Sequence, residues 1–317
     1  MDDGTPPPAA PADAGGYDPA FLGVAVPLPV PAQPVRELPS THFTVLLDPA
    51  RRLAAATAVN VDGSALVDVP RGDDWHLDPR VPPHEQAGPE LYARNDLDRG
   101  HLVRRRDPVW GDAATAARAN RETFAYPNAA PQASAFNQGE QLWVGLEDHV
   151  LGYARAWRLR LTVLTGPVLA ADDPVYRGVG IPRRFWKVAA WVAAGNADAA
   201  DTVDDTDEAD EADEAPVGGA GVGPLAARLR STAFVLDQSS LLGPVATARA
   251  LEAGDPPPLG PFRTYQVPVE DVATLTGLDL GPLPAADVLE PVVPTTTDHR
   301  WHLLTALADV HLGRTGM

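Results

Sequence analysis

The sequence predicts an α+β fold rather than a parallel doubly wound sheet, and two observations carry that prediction. Five segments have the β-branched and aromatic content of strands (His42–Asp48, Ala54–Val61, Arg158–Thr165, Phe185–Ala194 and Ser231–Asp237). They do not alternate with helices in the strand–helix–strand rhythm that a parallel sheet requires, because the helical segments fall together between the second strand and the third. With 317 residues, 44% of them hydrophobic, the chain is long enough to bury a sizeable core.

Taken in order, residues 1–16 form an acidic, Pro/Ala-rich tail read as disordered. Residues 17–34 form a proline-punctuated arm whose apolar side chains (Tyr17, Phe21, Leu22, Val24, Val26, Leu28) pack in extended form along the domain. After the first two strands, Asp62-Gly63 gives a hairpin-type turn signal. Residues 70–95 read as a long, polar, ordered loop, a feature that is often functional. Ala113–Phe124 is alanine-rich and helix-compatible, and a second helix is expected from about Gln138 to Tyr153. Pro268–Leu278 reads as a short amphipathic helix capped by Gly277, and His299–Gly313 as a terminal helix. The domain assignment is therefore a tail (1–16), one domain (17–290) and a C-terminal extension (291–317).

An acidic insert, 196–224, interrupts the domain and is read as disordered. It ends in GGAGVGP, which lacks a preceding strand and a following Lys-Ser/Thr, so it is a linker and not a phosphate-cradling loop. The chain carries a formal charge of −18, but ten acidic residues lie in Asp198–Glu214, leaving −8 on the remainder. Arg99, Arg104, Arg105 and Arg106 cluster in one place, so a local positive site on an acidic body remains compatible with an anionic ligand. The absence of cysteine excludes disulfides, thiolate metal sites and cysteine nucleophiles. No apolar run approaches the roughly 18 residues needed to span a bilayer. The N-terminus lacks the basic and apolar regions of a secretory signal, so cytoplasmic residence or non-classical export is the expectation.

Chemistry concentrates at Asp98-Arg99-Gly100-His101. A histidine is the natural general base near neutral pH, with a reference pKa of about 6.5. It follows a glycine able to take a positive φ. Arg99 is placed to neutralise a phosphodiester bidentately. Downstream, Asn128, Asn137 and Glu147 offer hard oxygen donors of the kind Mg²⁺ accepts. Asn137 precedes the second helix and Glu147 lies within it. Ten residues of regular helix separate them by about 15 Å, which excludes both from binding one bare ion directly and leaves room for one as a direct ligand and the other acting through water. Read blandly, the two asparagines are turn and cap residues and Glu147 is a solvated charge.

DRGHL (98–102), PNAAPQ (127–132), FNQG (136–139) and GLED (145–148), in that order, resemble the signature of the DNA/RNA non-specific endonucleases. The resemblance continues through Thr165-Gly166-Pro167, Ile181-Pro182 with Phe185-Trp186-Lys187-Val188, Ala233–Gln238 and Thr276-Gly277-Leu278. It implies a ββα-metal (His-Me finger) fold on a central antiparallel sheet. It implies a Mg²⁺-dependent, sugar-non-specific endonuclease that cuts single- and double-stranded DNA and RNA to 5′-phosphate and 3′-hydroxyl ends.

The resemblance also assigns roles. His101 would be the general base and Asn137 the direct protein ligand of one Mg²⁺, for which Mn²⁺ can substitute. Glu147 would hold a metal-bound water, Arg99 would stabilise the phosphate, and Asn128 would support the site. The family's second phosphate-binding arginine matches Arg71, four residues before Trp75, with Arg94 as competitor. The stretch between FNQG and GLED exceeds the family pattern, which leaves the rotational position of Glu147 about its helix open. Arg104, Arg105 and Arg106 are assigned to backbone phosphates, or else to a solvated charged turn. The family includes dimers, so the resemblance is compatible with a homodimer, although the sequence itself does not set the oligomeric state. The alternative reading is a non-catalytic nucleic-acid-binding module on the same fold.

Overall fold

A computed structural model describes residues 15–133, 151–152, 154–193, 228–239, 244–256, 263–289 and 300–312. Its strands are β1 (Arg36–Ser40), β2 (Phe43–Asp48), β3 (Leu53–Asp62), β4 (Leu97–His101), β5 (Ala129–Ala133), β6 (Arg160–Pro167), β7 (Val175–Tyr176), β8 (Val179–Gly180), β9 (Arg184–Ala193), β10 (Arg228–Asp237), β11 (Arg263–Val267) and β12 (His302–Leu303). The helices are α1, a single turn (Pro89–Tyr92), α2 (Ala113–Glu122), α3 (Pro244–Glu252) and α4 (Val269–Thr276). Eight strands form one sheet in the order β1-β2-β3-β6-β9-β10-β11-β12, with every neighbouring pair antiparallel. The expected α+β class on a central antiparallel sheet is thus observed.

Both faces of this sheet are covered, which explains why its strands read as near-continuous apolar runs. Along β10, Phe234 and Leu236 pack into one buried cluster while Ala233 and Val235 pack into another. In β9, Phe185 joins the first cluster and Trp186, Val188 and Ala190 the second. Successive side chains of a strand point to opposite faces, so the two clusters are the two faces of the sheet. Helix α4 and the N-terminal arm cover the second face: Val269, Val272, Tyr17 and Val26 belong to its cluster. Gly277 ends α4 in the left-handed conformation at φ 67°, as the sequence predicts.

The first face carries a separate two-stranded sheet, β4–β5, in which His101 pairs with Ala129 and Arg99 with Pro131. Small residues let it lie close to the large sheet. Ala130 and Ala133 are buried in the first cluster together with Leu102 and Val103. Helix α2 joins the two strands of this pair. Asp112 caps its N-terminus by accepting from the amides of Ala114 and Thr115, at 2.9 Å each, and Ala116 and Ala119 face inward.

Three sequence expectations are corrected. Asp62-Gly63 does not make a hairpin, since β3 pairs with β2 on one side and the distant β6 on the other. Gly63 is needed for a close approach instead, because a Cβ there would collide with the backbone carbonyls of Ala154 and Leu159. The expected terminal helix is not formed over its described part, residues 300–312. That segment adds β12 to the sheet edge and one 3₁₀ turn, Leu307–Asp309. Gln266 on β11 draws it in: its side chain accepts from the amide of His311 at 2.9 Å and donates to the carbonyl of His311 at 2.7 Å. The correction at Gly100 belongs to the site. The acidic insert 196–224 and most of the expected helix at 138–153 lie outside the described residues; residues 151–152 and 154–157 are helical. Among the described residues, no helix is long and apolar enough to cross a membrane.

Candidate active site

The site is built on the C-terminal end of β4. Alternation along a strand puts Arg99 and His101 on the same side of the small sheet, and both meet Trp75 from the 70–95 segment. The guanidinium of Arg99 sits 5.4 Å from the centroid of the Trp75 ring, within cation–π range, and the imidazole of His101 lies 4.7 Å from the same ring. Gly100 is not among the residues with positive φ, contrary to the sequence expectation. A Cβ at this position would meet the side-chain amide of Gln132 on β5, which would have to move aside.

Asn128 fixes the backbone that follows His101. It is fully buried. Its side-chain oxygen accepts from the amide of Val103 at 2.8 Å, and its nitrogen donates to the carbonyls of Val103 at 3.0 Å and Thr123 at 2.9 Å. Its own carbonyl accepts from the amide of Leu102 at 2.9 Å. The side chain therefore ties the exit of β4 to the end of α2. It acts on the strand that carries the histidine; no bond to the imidazole itself is formed.

Around His101 the environment is apolar on the ring faces and cationic at longer range. Phe124 meets the imidazole edge-on at a centroid distance of 5.0 Å, and Trp75 closes another side. Burial is the first cause that lowers the His101 pKa, and the positive charges of Arg71, Arg105 and Arg99 lower it further, to about 3. The imidazole is therefore neutral at physiological pH. Its Nε2 is buried and has no hydrogen-bond partner among the described residues. A neutral ring with an uncommitted, sheltered nitrogen is competent to accept a proton.

The structure brings together four of the residues singled out in the sequence and differentiates others. Among the charges that lower the His101 pKa, Arg71 has the largest effect, and Arg94 is not among them. Arg105 also acts on His101, and its guanidinium donates to the carbonyl of Val69 and the side chain of Asn120, both at 3.0 Å. Arg106 pairs with Asp68 at 3.3 Å on the surface. Asn137 and Glu147 lie outside the described residues. No three His, Cys, Asp or Glu side chains converge on a common point among the described residues. The donor set expected for Mg²⁺, one amide and one carboxylate with water filling the octahedron, does not need such a cluster.

Sequence reasoning missed the aromatic wall. Trp75 was only a landmark for Arg71, and Phe124 only the end of a helix. Tyr126 continues the wall from Trp75 at 5.8 Å, and Tyr92 stacks on Tyr126 at 6.0 Å. The density of aromatics around YPN (126–128) was the available signal. Next to the site lies an open cleft of about 400 Å³, lined in part by Gly72, Asp74, His76, Arg118, Arg121 and Phe124. Gly72 follows Arg71 and Phe124 meets His101, so the cleft adjoins residues that flank the imidazole.

Residues 25–287 match the family model described as DNA/RNA non-specific endonuclease. The chain is 42% identical over 198 residues to the uncharacterized protein y4fB of Sinorhizobium fredii (strain NBRC 101917 / NGR234), a match covering 55% of this chain and 30% of that protein. It is 30% identical over 134 residues to mitochondrial endonuclease G of Bos taurus, covering 38% of this chain and 42% of that protein. The chain thus spans less than half the length of either curated relative. A crystal structure of the EndoG/EndoGI complex aligns with 77% of this chain and 84% of its own, at a TM-score of 0.48 and 19% identity.

Proposed function

Because the chain belongs to the DNA/RNA non-specific endonuclease family, we propose that it hydrolyses internal phosphodiester bonds of DNA and RNA with His101 as general base. The observation that carries this reading is the buried, neutral His101, its Nε2 uncommitted, set among Arg71, Arg99 and Arg105.

The chemistry follows from these groups. Nε2 of His101 removes a proton from the attacking water, in line with the bond to the 3′ oxygen. Arg99 and Arg71 hold the non-bridging oxygens and stabilise the charge that builds on them. The same arginines, with Arg105, depress the basicity of His101. A phosphodiester anion between them offsets their field and raises the basicity of the imidazole, so substrate docking prepares the base. Asn128 holds the backbone of β4 in place for both groups. Asn137 directly, and Glu147 through water, would hold a Mg²⁺ ion, which would supply Lewis-acid stabilisation of the leaving group. Mn²⁺ is a suitable substitute.

Nothing in this set reads a base edge or a 2′-hydroxyl, which supports activity on single- and double-stranded DNA and RNA alike. The cleft containing Arg118 and Arg121 is placed to take the flanking nucleotides, alongside Arg104, Arg105 and Arg106. The test is digestion of plasmid DNA and single-stranded RNA at low salt, with Mg²⁺ or with EDTA, followed by end-group analysis. The expected result is cleavage of both substrates with Mg²⁺ only, leaving 5′-phosphate and 3′-hydroxyl ends. Binding of both substrates without cleavage would instead support a non-catalytic binding module.

A further inference from the structure

We propose that Gln238 is a positioning residue of the active site: its side chain locks the small β4–β5 sheet, and with it Arg99 and His101, to the large sheet. This inference rests on the nuclease reading for its consequence but not for its geometry. Gln238 follows β10 directly and is completely buried. Its amide donates to the carbonyl of Arg183 at 2.8 Å, which extends the β9–β10 pairing by one step and fixes its backbone to the large sheet.

Its side chain then reaches into the other sheet. Oε1 accepts from the amide of Ala133 at 3.1 Å. Nε2 donates to the carbonyl of Pro131 at 3.2 Å and to that of Pro182 at 2.7 Å. Both protons of the carboxamide and one oxygen lone pair are thereby used. An acceptor at one residue of a strand and a donor two residues on is the pattern that an edge strand offers to a neighbour. The carboxamide of Gln238 thus stands in for one peptide unit of a third strand beside β5. Pro131 and Ala133 are the register partners of Arg99 and Leu97, so the contact lies one strand away from the catalytic side of β4. No other residue type fits this post without loss: Glu has no donor for the two carbonyls, Asn is one methylene short, and Met satisfies none of the three groups.

If the clamp positions the site, loosening it shifts Arg99 and His101 relative to Trp75 and Phe124 while leaving substrate contacts in the cleft intact. A displacement of that kind lowers turnover more than it lowers affinity, by about 10²-fold for a shift of about 1 Å. The experiment compares wild type with Gln238→Met and Gln238→Glu by amide hydrogen exchange and by kcat and KM on plasmid DNA. Expected are faster exchange confined to 97–103 and 129–133, unchanged exchange in β9 and β10, a 10–100-fold fall in kcat, and KM within about threefold of wild type. Unchanged protection of β4–β5, or a loosened pair with kcat intact, overturns the proposal. A measurement on wild type alone guards against variants that fail to fold: the Ala133 amide is to be as protected as the amides of β10, and exchange at the rate of a surface loop removes the clamp. Should wild type cut no substrate, the nuclease reading fails, and the exchange data alone decide whether the clamp exists.

Discussion

The large sheet and the small β4–β5 sheet hold together in different ways. In the large sheet, hydrophobic burial on both faces and seven ladders of backbone hydrogen bonds supply stability, and its largest buried side chains include Phe43, Phe185, Trp186 and Phe234. The small sheet has five residue pairs, little apolar mass beyond alanines, and two asparagine and glutamine side chains that tie its backbone to distant elements. Geometry that must be accurate for chemistry is held by directional bonds, and geometry that must merely persist is held by packing. Perturbing each region separately breaks or sharpens this contrast.

The largest effect is expected in the large sheet. Phe234→Ala removes a fully buried ring from the central strand β10 and should cost about 3–5 kcal/mol, read as a lower midpoint in urea. Activity per folded molecule should fall less than stability, because Phe234 packs in the apolar cluster beneath the small sheet and makes no directional bond to it. Asn128→Ala should do the reverse. It leaves buried backbone groups of Val103 and Thr123 without partners, at about 1–3 kcal/mol, and should lower kcat about 10²-fold by releasing the exit of β4. If the two variants lose stability and activity in the same proportion, the contrast fails.

The parts that were legible in the sequence follow the same division. Strands of the large sheet are legible because a run buried on both faces is apolar at every position, as in AFVL of β10. The residues of DRGH and PNAAPQ were legible because each motif is short and its order along the chain is the signal. What escaped notice depends on contacts between remote segments. Gln238 lies 105 residues from Ala133, and nothing at position 238 itself shows whether its amide meets water or a strand. Gly100 was read as a residue for positive φ, whereas the side chain of Gln132, set beside it by the β4–β5 register, is what a Cβ there would meet. The terminal helix failed because Gln266 supplies tertiary hydrogen bonds that compete with local propensity.

A weaker effect is expected from pH. The pKa of His101 is pushed down to about 3 in the folded chain, against about 6.5 when unfolded. Between these values the unfolded chain binds a proton that the folded chain does not. Stability contributed by the neutral ring is therefore complete above about pH 6.5 and declines as pH falls toward about 3, with a slope of at most about 1.4 kcal/mol per pH unit. Urea midpoints of wild type and His101→Ala measured from pH 7.5 down to pH 4.5 should converge or cross as pH falls; parallel curves would contradict the buried neutral state. The smallest effect is expected from Gly100→Ala. The end of Gln132 can swing aside, so kcat should fall by less than about tenfold, consistent with overpacking relieved by a flexible side chain.

The central claim, that His101 is the base, is tested most directly by single-turnover cleavage of a plasmid by His101→Ala in Mg²⁺ at pH 7.5. The account predicts a rate about 10²–10⁴-fold below wild type, with substrate binding preserved. A rate within about threefold of wild type in the folded variant would contradict it.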